Sequence, residues 1–357
     1  MKYPATTSEG FETFPSITPS ATQCPPWLRV GFALLAISLV NSVACAKGPV
    51  ATASTTAKAD SSAAIPAPSE AVPDHAPLPH IDSKRAFEYT REVTAFGPRY
   101  IGSENHKKLE RYIFDHLKGD QVEDDAFIAD TPEGKFPVRN ILAKFPGTKD
   151  GIIIIFGHYD TNYPLRNSGY VGANDGGSST AILLEFARYF ESESQLLHGK
   201  KRDGYSVWLV WTDGEEAVKS WTDTDSVYGS RHLAEKWEKD GTLKKIKALL
   251  VMDMIGDADL NIDRNTNGEP WLLDLIYTAA ERGGYQSHFY GRQGPIEDDH
   301  IPFFKRGVPT ADVIDLDYGY NNVFHHTPQD TMDKLSPKSL EIVGNTILEA
   351  IHMIDQR

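Results

Sequence analysis

Ile152-Ile153-Ile154-Ile155-Phe156-Gly157-His158-Tyr159-Asp160 changes character within a few residues, from an unbroken apolar run to a glycine, a histidine and an acid. A short apolar run with no polar alternation is the pattern of a strand covered on both faces. Three further runs repeat the design. Tyr205–Trp211 ends in Thr212-Asp213-Gly214-Glu215-Glu216-Ala217, Ala248–Met252 ends in Asp253, and Val308–Ile314 is the last core strand. Val138–Phe145 also reads as a strand.

Helical patterns separate these runs. Ser83 to about Thr94 is a first helix, and a Phe96-Gly97-Pro98-Arg99 break follows it. Ser103 caps a second, with Leu109, Tyr112, Ile113 and Leu117 on one face and Gly119 at its end. Ser179–Tyr189 carries Leu183, Phe186, Ala187 and Phe190 as a stripe, and helices are expected near Gly229–Lys239 and Trp271–Arg282. Ser336-Pro337 opens a closing helix. Strands alternating with helices predict an α/β fold, a three-layer sandwich whose central, mostly parallel sheet is flanked by helices.

The chain has 357 residues, 40% hydrophobic and 24% charged, with a formal net charge of −14. That charge argues against nucleic acid or an anionic membrane as partner. Both cysteines, Cys24 and Cys45, lie near the N-terminus, so a metal in the body must be held by His, Asp and Glu. Val30–Val40 is an apolar run too short to span a bilayer comfortably, preceded by Arg29 and followed by Ala44-Cys45-Ala46. Residues 1–46 are therefore expected to be a secretory signal region, with lipidation at Cys45 as the second alternative. A retained anchor is the third, and all three readings export the body across a membrane, to the periplasm or beyond. Residues 47–79 are rich in Ala, Ser, Thr and Pro, a linker too poor in large apolar residues to fold. Residues 80–357 are expected to form the folded domain, as a monomer.

In open α/β sheets, ligands bind beyond the carboxyl ends of the strands. His158, Glu215, Glu216 and Asp253 all fall one to five residues past an expected strand end, and Asp175 in Asn174-Asp175-Gly176-Gly177 opens a helix on the same side. Adjacent glutamates repel, so Glu215-Glu216 suits a cation, with one as ligand and the other moving protons. A solvated acidic turn is the plainer alternative. Asp160 is placed to fix the tautomer of His158, and Asp253 would be costly to bury without a partner. His325-His326 completes a mixed nitrogen and oxygen set that zinc accepts.

Taken in order, His158-Tyr159-Asp160, Asn174-Asp175, Glu215-Glu216, Asp253 and His326-Thr327-Pro328-Gln329-Asp330-Thr331 resemble the zinc exopeptidases of the bacterial leucine aminopeptidase type. Within that group the chain resembles the glutaminyl cyclases more closely. Asp213–Ala217, Trp221 and Asp225–Ala234 look like their central segment, and Ile296–Phe303 like their substrate-side loop. The resemblance implies the twisted exopeptidase sheet, with Asp175, Glu216 and His326 as zinc ligands and Glu215 as proton shuttle. It further implies Asp253 and Asp298 as hydrogen-bonding partners of Glu215, and Trp221, His325 and Ile296 around the substrate. One zinc is implied rather than two, the substrates being peptide or protein N-termini. The aminopeptidase pattern instead adds a second ion on His158 and Asp253, bridged by Asp175. A non-catalytic domain on the same fold is the remote alternative, and it would not be expected to keep both glutamates. The doubled Gly176-Gly177 is peptidase-like, and Asp312 stands where the cyclases have a histidine.

Overall fold

Two layers of helices enclose one sheet in the computed structural model, which describes residues 78–117 and 121–357. The expected signal region, nearly all of the linker and Gly119 lie outside those residues. The described residues belong to one unit, Pro73–Arg357. Helices α1 (Ser83–Ala95) and α2 (Glu104–His116) precede the hairpin β1 (Gln121–Thr131) and β2 (Gly134–Phe145). Then come β3 (Ile152–His158), α3 (Gly177–Leu196), β4 (Ser206–Thr212), α4 (Tyr228–Asp240) and β5 (Ile246–Asp253). The chain continues through β6 (Ile262–Asn265), α5 (Pro270–Arg282), β7 (Phe289–Gly294), α6 (Ile301–Phe304), β8 (Thr310–Ile314) and α7 (Pro337–Asp355).

The main sheet has the order β1-β2-β4-β3-β5-β8. β4, β3, β5 and β8 are mutually parallel, whereas β1 and β2 are added antiparallel at one edge. β1 was not expected from the sequence. Its polar, mostly exposed alternation carries little apolar signal, and its ladder with β2 defines it instead. β6 and β7 form a separate small parallel pair that the sequence also concealed.

Strand periodicity explains the apolar run of β3. Alternate side chains point to opposite faces, so Ile153 and Ile155 join α1, α2, α3, α5 and α7 in one core. Ile154 and Phe156 join Leu233 and Trp237 of α4 and Phe303 of α6 in the other. Both faces are dry, and each buried Ile or Phe contributes about 1.5–3 kcal/mol. Two caps follow the sequence expectation: Ser103 accepts from the His106 amide at 3.1 Å, and Ser336 from that of Lys338 at 3.1 Å.

The short helix α6 matters beyond its length, because it directly follows Asp298-Asp299-His300. Its Phe303 packs edge-on against Phe156 (5.3 Å between ring centres) and near Trp237 (5.6 Å). Phe303→Ala should lower the unfolding free energy by about 3–5 kcal/mol, measured by denaturant titration. A loss under about 1 kcal/mol would show that this aromatic cluster does not anchor the loop.

Candidate metal centre

His158 and Asp253 are the last residues of β3 and β5, not residues beyond them. The sheet ladders run on to His158↔Thr212 and Asp253↔Ile314, since backbone pairing is indifferent to side-chain polarity. Each strand thus delivers its final side chain to the carboxyl edge of the sheet. The turn after β4 supplies Glu215 and Glu216, the loop before α3 supplies Asp175, and the segment after β8 supplies His325 and His326.

The expected ligands converge. Asp175 Oδ2 and Glu216 Oε1 each lie 3.2 Å from His326 Nε2. Asp175 Oδ1 lies 3.1 Å from His158 Nε2, which is also 3.1 Å from Asp253 Oδ1. Ligands about 2.0 Å from a tetrahedral zinc sit about 3.3 Å from one another. The side chains are therefore spaced as a small cation requires, and their nitrogen and carboxylate donors suit zinc. Among the described residues, Asp175–His325–His326 and His158–Asp175–Asp253 each bring ligand atoms within 4.8 Å of one another. Asp175 belongs to both groups and faces each with a different oxygen.

Several residues with no assigned role hold these ligands in place. Asp330 accepts from the amides of Asn174 (2.8 Å) and Asp175 (3.2 Å) and from the Tyr318 hydroxyl (3.0 Å). Arg99 is fully buried and donates to the carbonyls of Tyr159 (2.9 Å), Val171, Gly172 (2.7 Å) and Asp175 (3.3 Å). Tyr170 donates to Asp175 Oδ2, and Asn162 to Glu216 Oε2 at 2.7 Å. Asp330 and Arg99 stood in recognisable motifs, but nothing in the sequence marked Tyr170 or Asn162. Gly176 has φ of +72°, and a Cβ there would come 2.8 Å from the Asp160 carbonyl and 2.9 Å from the His158 ring. The chain therefore packs too closely at Gly176 to admit a side chain.

Two expectations need correction. Asp160 stands beside His158 as an ion pair and without a well-formed hydrogen bond. Its carboxylate accepts from the amides of Glu215 (3.1 Å) and Glu216 (3.3 Å), and His158 Nδ1, 3.5 Å away, has no hydrogen-bond partner. Asp253 and Asp298 are likewise not hydrogen-bonded to Glu215. Asp253 Oδ1 is engaged by His158 Nε2 and by the Met254 amide, and Asp298 Oδ1 by the Asp299 amide. Asp298 acts on Glu215 through charge. Burial, with added repulsion from Asp298 and Glu216, pushes the Glu215 carboxyl well above the usual carboxylate range despite nearby His158. Asp298 is itself raised by burial and by Asp312 and Asp253. Asp312, which accepts from Asn265 Nδ2 at 2.9 Å, is pushed up to about 8, chiefly by burial.

The expected substrate residues lie at the rim. Trp221 is 39% exposed, its indole 3.4 Å from Glu297 Oε2, and it borders a cleft of about 220 Å³ with Glu297 and Asp298. His325 stacks obliquely on His326 (4.1 Å between ring centres) and is held near Asn322 at 3.1 Å. Burial lowers its pKa, which favours the neutral ring. Ile296 packs against the Ala173–Met254–Tyr318 cluster beside the site.

Backbone strain gathers here as well. His326 (φ 52°), Met254 (φ 49°) and Val227 (φ 44°) are all left-handed without being glycine. Each costs on the order of 1–3 kcal/mol and persists only where the surroundings over-determine it. His326 is an expected ligand, Met254 follows Asp253, and the Val227 amide donates to the Glu215 carbonyl at 2.7 Å.

Residues 140–351 match the model described as Peptidase family M28. A glutaminyl-peptide cyclotransferase of Drosophila melanogaster is 32% identical over 258 residues, which cover 65% of this chain and 70% of that protein. The crystal structure of an Acidobacteriales bacterium glutaminyl cyclase superposes with a TM-score of 0.76 at 47% identity, over 81% of this chain and 100% of that one. Porphyromonas gingivalis glutaminyl cyclase gives 0.67 at 26% identity, over 76% and 98%.

Outer partners of metal ligands typically change affinity by about 10–100-fold when altered. Asp330→Asn should weaken zinc binding by that amount while leaving the circular dichroism spectrum unchanged. Wild-type zinc affinity in a competition titration with a chelator would refute its role.

Proposed function

Because the chain belongs to peptidase family M28 and, within it, to the glutaminyl-peptide cyclotransferases, we propose that it converts the N-terminal glutamine of peptides to pyroglutamate and releases ammonia. Asp175, Glu216 and His326 are the proposed zinc ligands, and zinc bound there supplies Lewis acidity to the γ-carbonyl of the glutamine.

Glu215 moves the proton. Its carboxylate takes one from the α-amine as the bond from the α-nitrogen to the side-chain carbonyl carbon forms. The same carboxyl then returns a proton to the amide nitrogen as the carbon–nitrogen bond breaks and ammonia leaves. A carboxyl raised by burial is suited to both halves, because it is a stronger base than an exposed glutamate. Asp160 supports this role by gripping the Glu215 and Glu216 amides, so that the two carboxylates diverge from a fixed turn. Amine and carbonyl belong to one residue, so holding that residue in the cyclising conformation contributes much of the rate. Trp221 and Ile296 offer apolar walls for this, and neutral His325 a ring beside the His326 ligand.

The observation that carries the reading is the buried, raised Glu215 on the turn whose next residue, Glu216, meets His326. One ion is proposed. The His158–Asp175–Asp253 triad is the observation that favours a second, and with it a zinc aminopeptidase. His158 Nδ1 lacks the anchoring partner usual for a ligating imidazole, which weighs against that ion.

We further propose an exported monomer, with residues 1–46 as signal region, 47–79 as linker and 80–357 as catalytic domain; the run Val30–Val40 before Ala44-Cys45-Ala46 supports export. Among the described residues no helix is long and apolar enough to cross a membrane.

Purified protein should release ammonia from Gln-peptides and leave pyroglutamyl peptides. Glu215→Gln should fold and keep its zinc while kcat falls by at least about 100-fold. Release of free amino acids from unblocked peptides, with N-terminal glutamine left uncyclised, would contradict the reaction. Unchanged turnover in Glu215→Gln would contradict the mechanism.

A further inference from the structure

Asp213 opens the Asp213-Gly214-Glu215-Glu216 turn and is fully buried, yet the reaction gives it no chemical part. Its Oδ1 lies 2.7 Å from His106 Nε2, and its Oδ2 accepts from the Arg139 amide at 2.7 Å. His106 stands on α2, ahead of the residues 140–351 that match the family model. It is buried too, with Nδ1 3.3 Å from Glu110 Oε1 and its ring stacked on Tyr159 at 5.0 Å. An imidazole with a carboxylate at each nitrogen donates from both and is a cation.

The groups around this cation all act in one direction. Asp213 and Glu110 face the two nitrogens, Arg139 is spent on Glu110 at 3.6 Å, and Tyr159 offers only its ring face. Burial opposes the charge, but the two carboxylates hold the His106 pKa at about 10. Burial raises the Asp213 carboxyl as well, against the pull of His106. The proton belongs on the imidazole, since both Asp213 oxygens already accept hydrogen bonds.

The charge reaches the catalytic turn through Asp160. That carboxylate grips the Glu215 and Glu216 amides and also repels Asp213. His106 compensates Asp213, the root of the turn, while Asp160 has its own partners in the two amides and in His158 at 3.5 Å. Without it Asp213 is left buried with no cation beside it, and the turn loosens at its Asp213 root. Backbone bonds from Gly229, Tyr228 and Val227 to the carbonyls of Asp213, Gly214 and Glu215 tie α4 into the same turn.

We propose that His106 is a positioning residue for catalysis: as a buried cation clamped to Asp213, it sets the turn that carries Glu215 and Glu216. The inference rests on the reading of Glu215 as proton carrier, and wild-type cyclisation of a Gln-peptide tests that reading separately.

His106→Gln keeps a donor but removes the charge. Its kcat should fall by about 10–100-fold, the scale of a small misplacement at a catalytic group, with KM as in wild type. The double variant His106→Gln/Asp213→Asn removes both charges and leaves a neutral amide pair, so it should recover to within about 3-fold of wild type by mutual compensation. A merely structural histidine would lower Tm alone and leave kcat unchanged. Wild-type kcat in folded His106→Gln, or a double variant no more active than the single one, overturns the proposal. Should His106→Gln fail to fold, the double variant and the wild type decide. Nitrogen NMR of histidine-labelled wild type should show both His106 nitrogens protonated at about pH 8.5, well above the ordinary histidine range, and a neutral ring there overturns it.

Discussion

Asp175 offers one carboxylate oxygen to His158 at 3.1 Å and the other to His326 at 3.2 Å, and is itself buried. A buried carboxylate is costly unless fully compensated, and much of the surrounding structure serves that need. Burial pushes its pKa up, but the two histidines prevail and hold the carboxyl well below the usual range. Its amide is tied to Asp330, its carbonyl to Arg99, and one oxygen to Tyr170. Gly176 then turns the chain left-handed so that α3 can begin directly beneath the β3 terminus.

The same economy recurs across the sheet edge. Asp160, Asp330 and Asp225 spend their carboxylates on backbone amides, fixing the turns on which the proposed ligands and proton carrier stand. Their number explains how the chain collects so many acids at one edge without unfolding. Each is a local anchor, whereas the Glu215 carboxyl is raised by burial and by the charges of Asp298 and Glu216. Strain at Val227, Met254 and His326 is sustained by this web.

The layered fold was legible in the apolar runs, because a strand buried on both faces has no other way to be written. The edge hairpin partner β1 and the β6–β7 pair were not, since half-exposed strands owe their identity to a partner and not to their own composition. The expected ligands were legible from the order of short motifs along the chain, and the structure brings Asp175, Glu216 and His326 together. Their supports were not. Asp160 reads in sequence as a neighbour of His158, but it is turned to amides 55 residues further along the chain. Arg99 and His106 meet partners 60 and 107 residues away, distances that spacing cannot encode. Local sequence reveals which groups are reactive; the long-range hydrogen bonds that aim them emerge only with the fold.

The arrangement makes its sharpest commitment in where a metal ion sits. An anomalous difference map collected at the zinc absorption edge from crystals of the purified protein addresses that directly. One peak enclosed by Asp175, Glu216 and His326 is the predicted result. A peak between His158 and Asp253, or none at the first position, would contradict it.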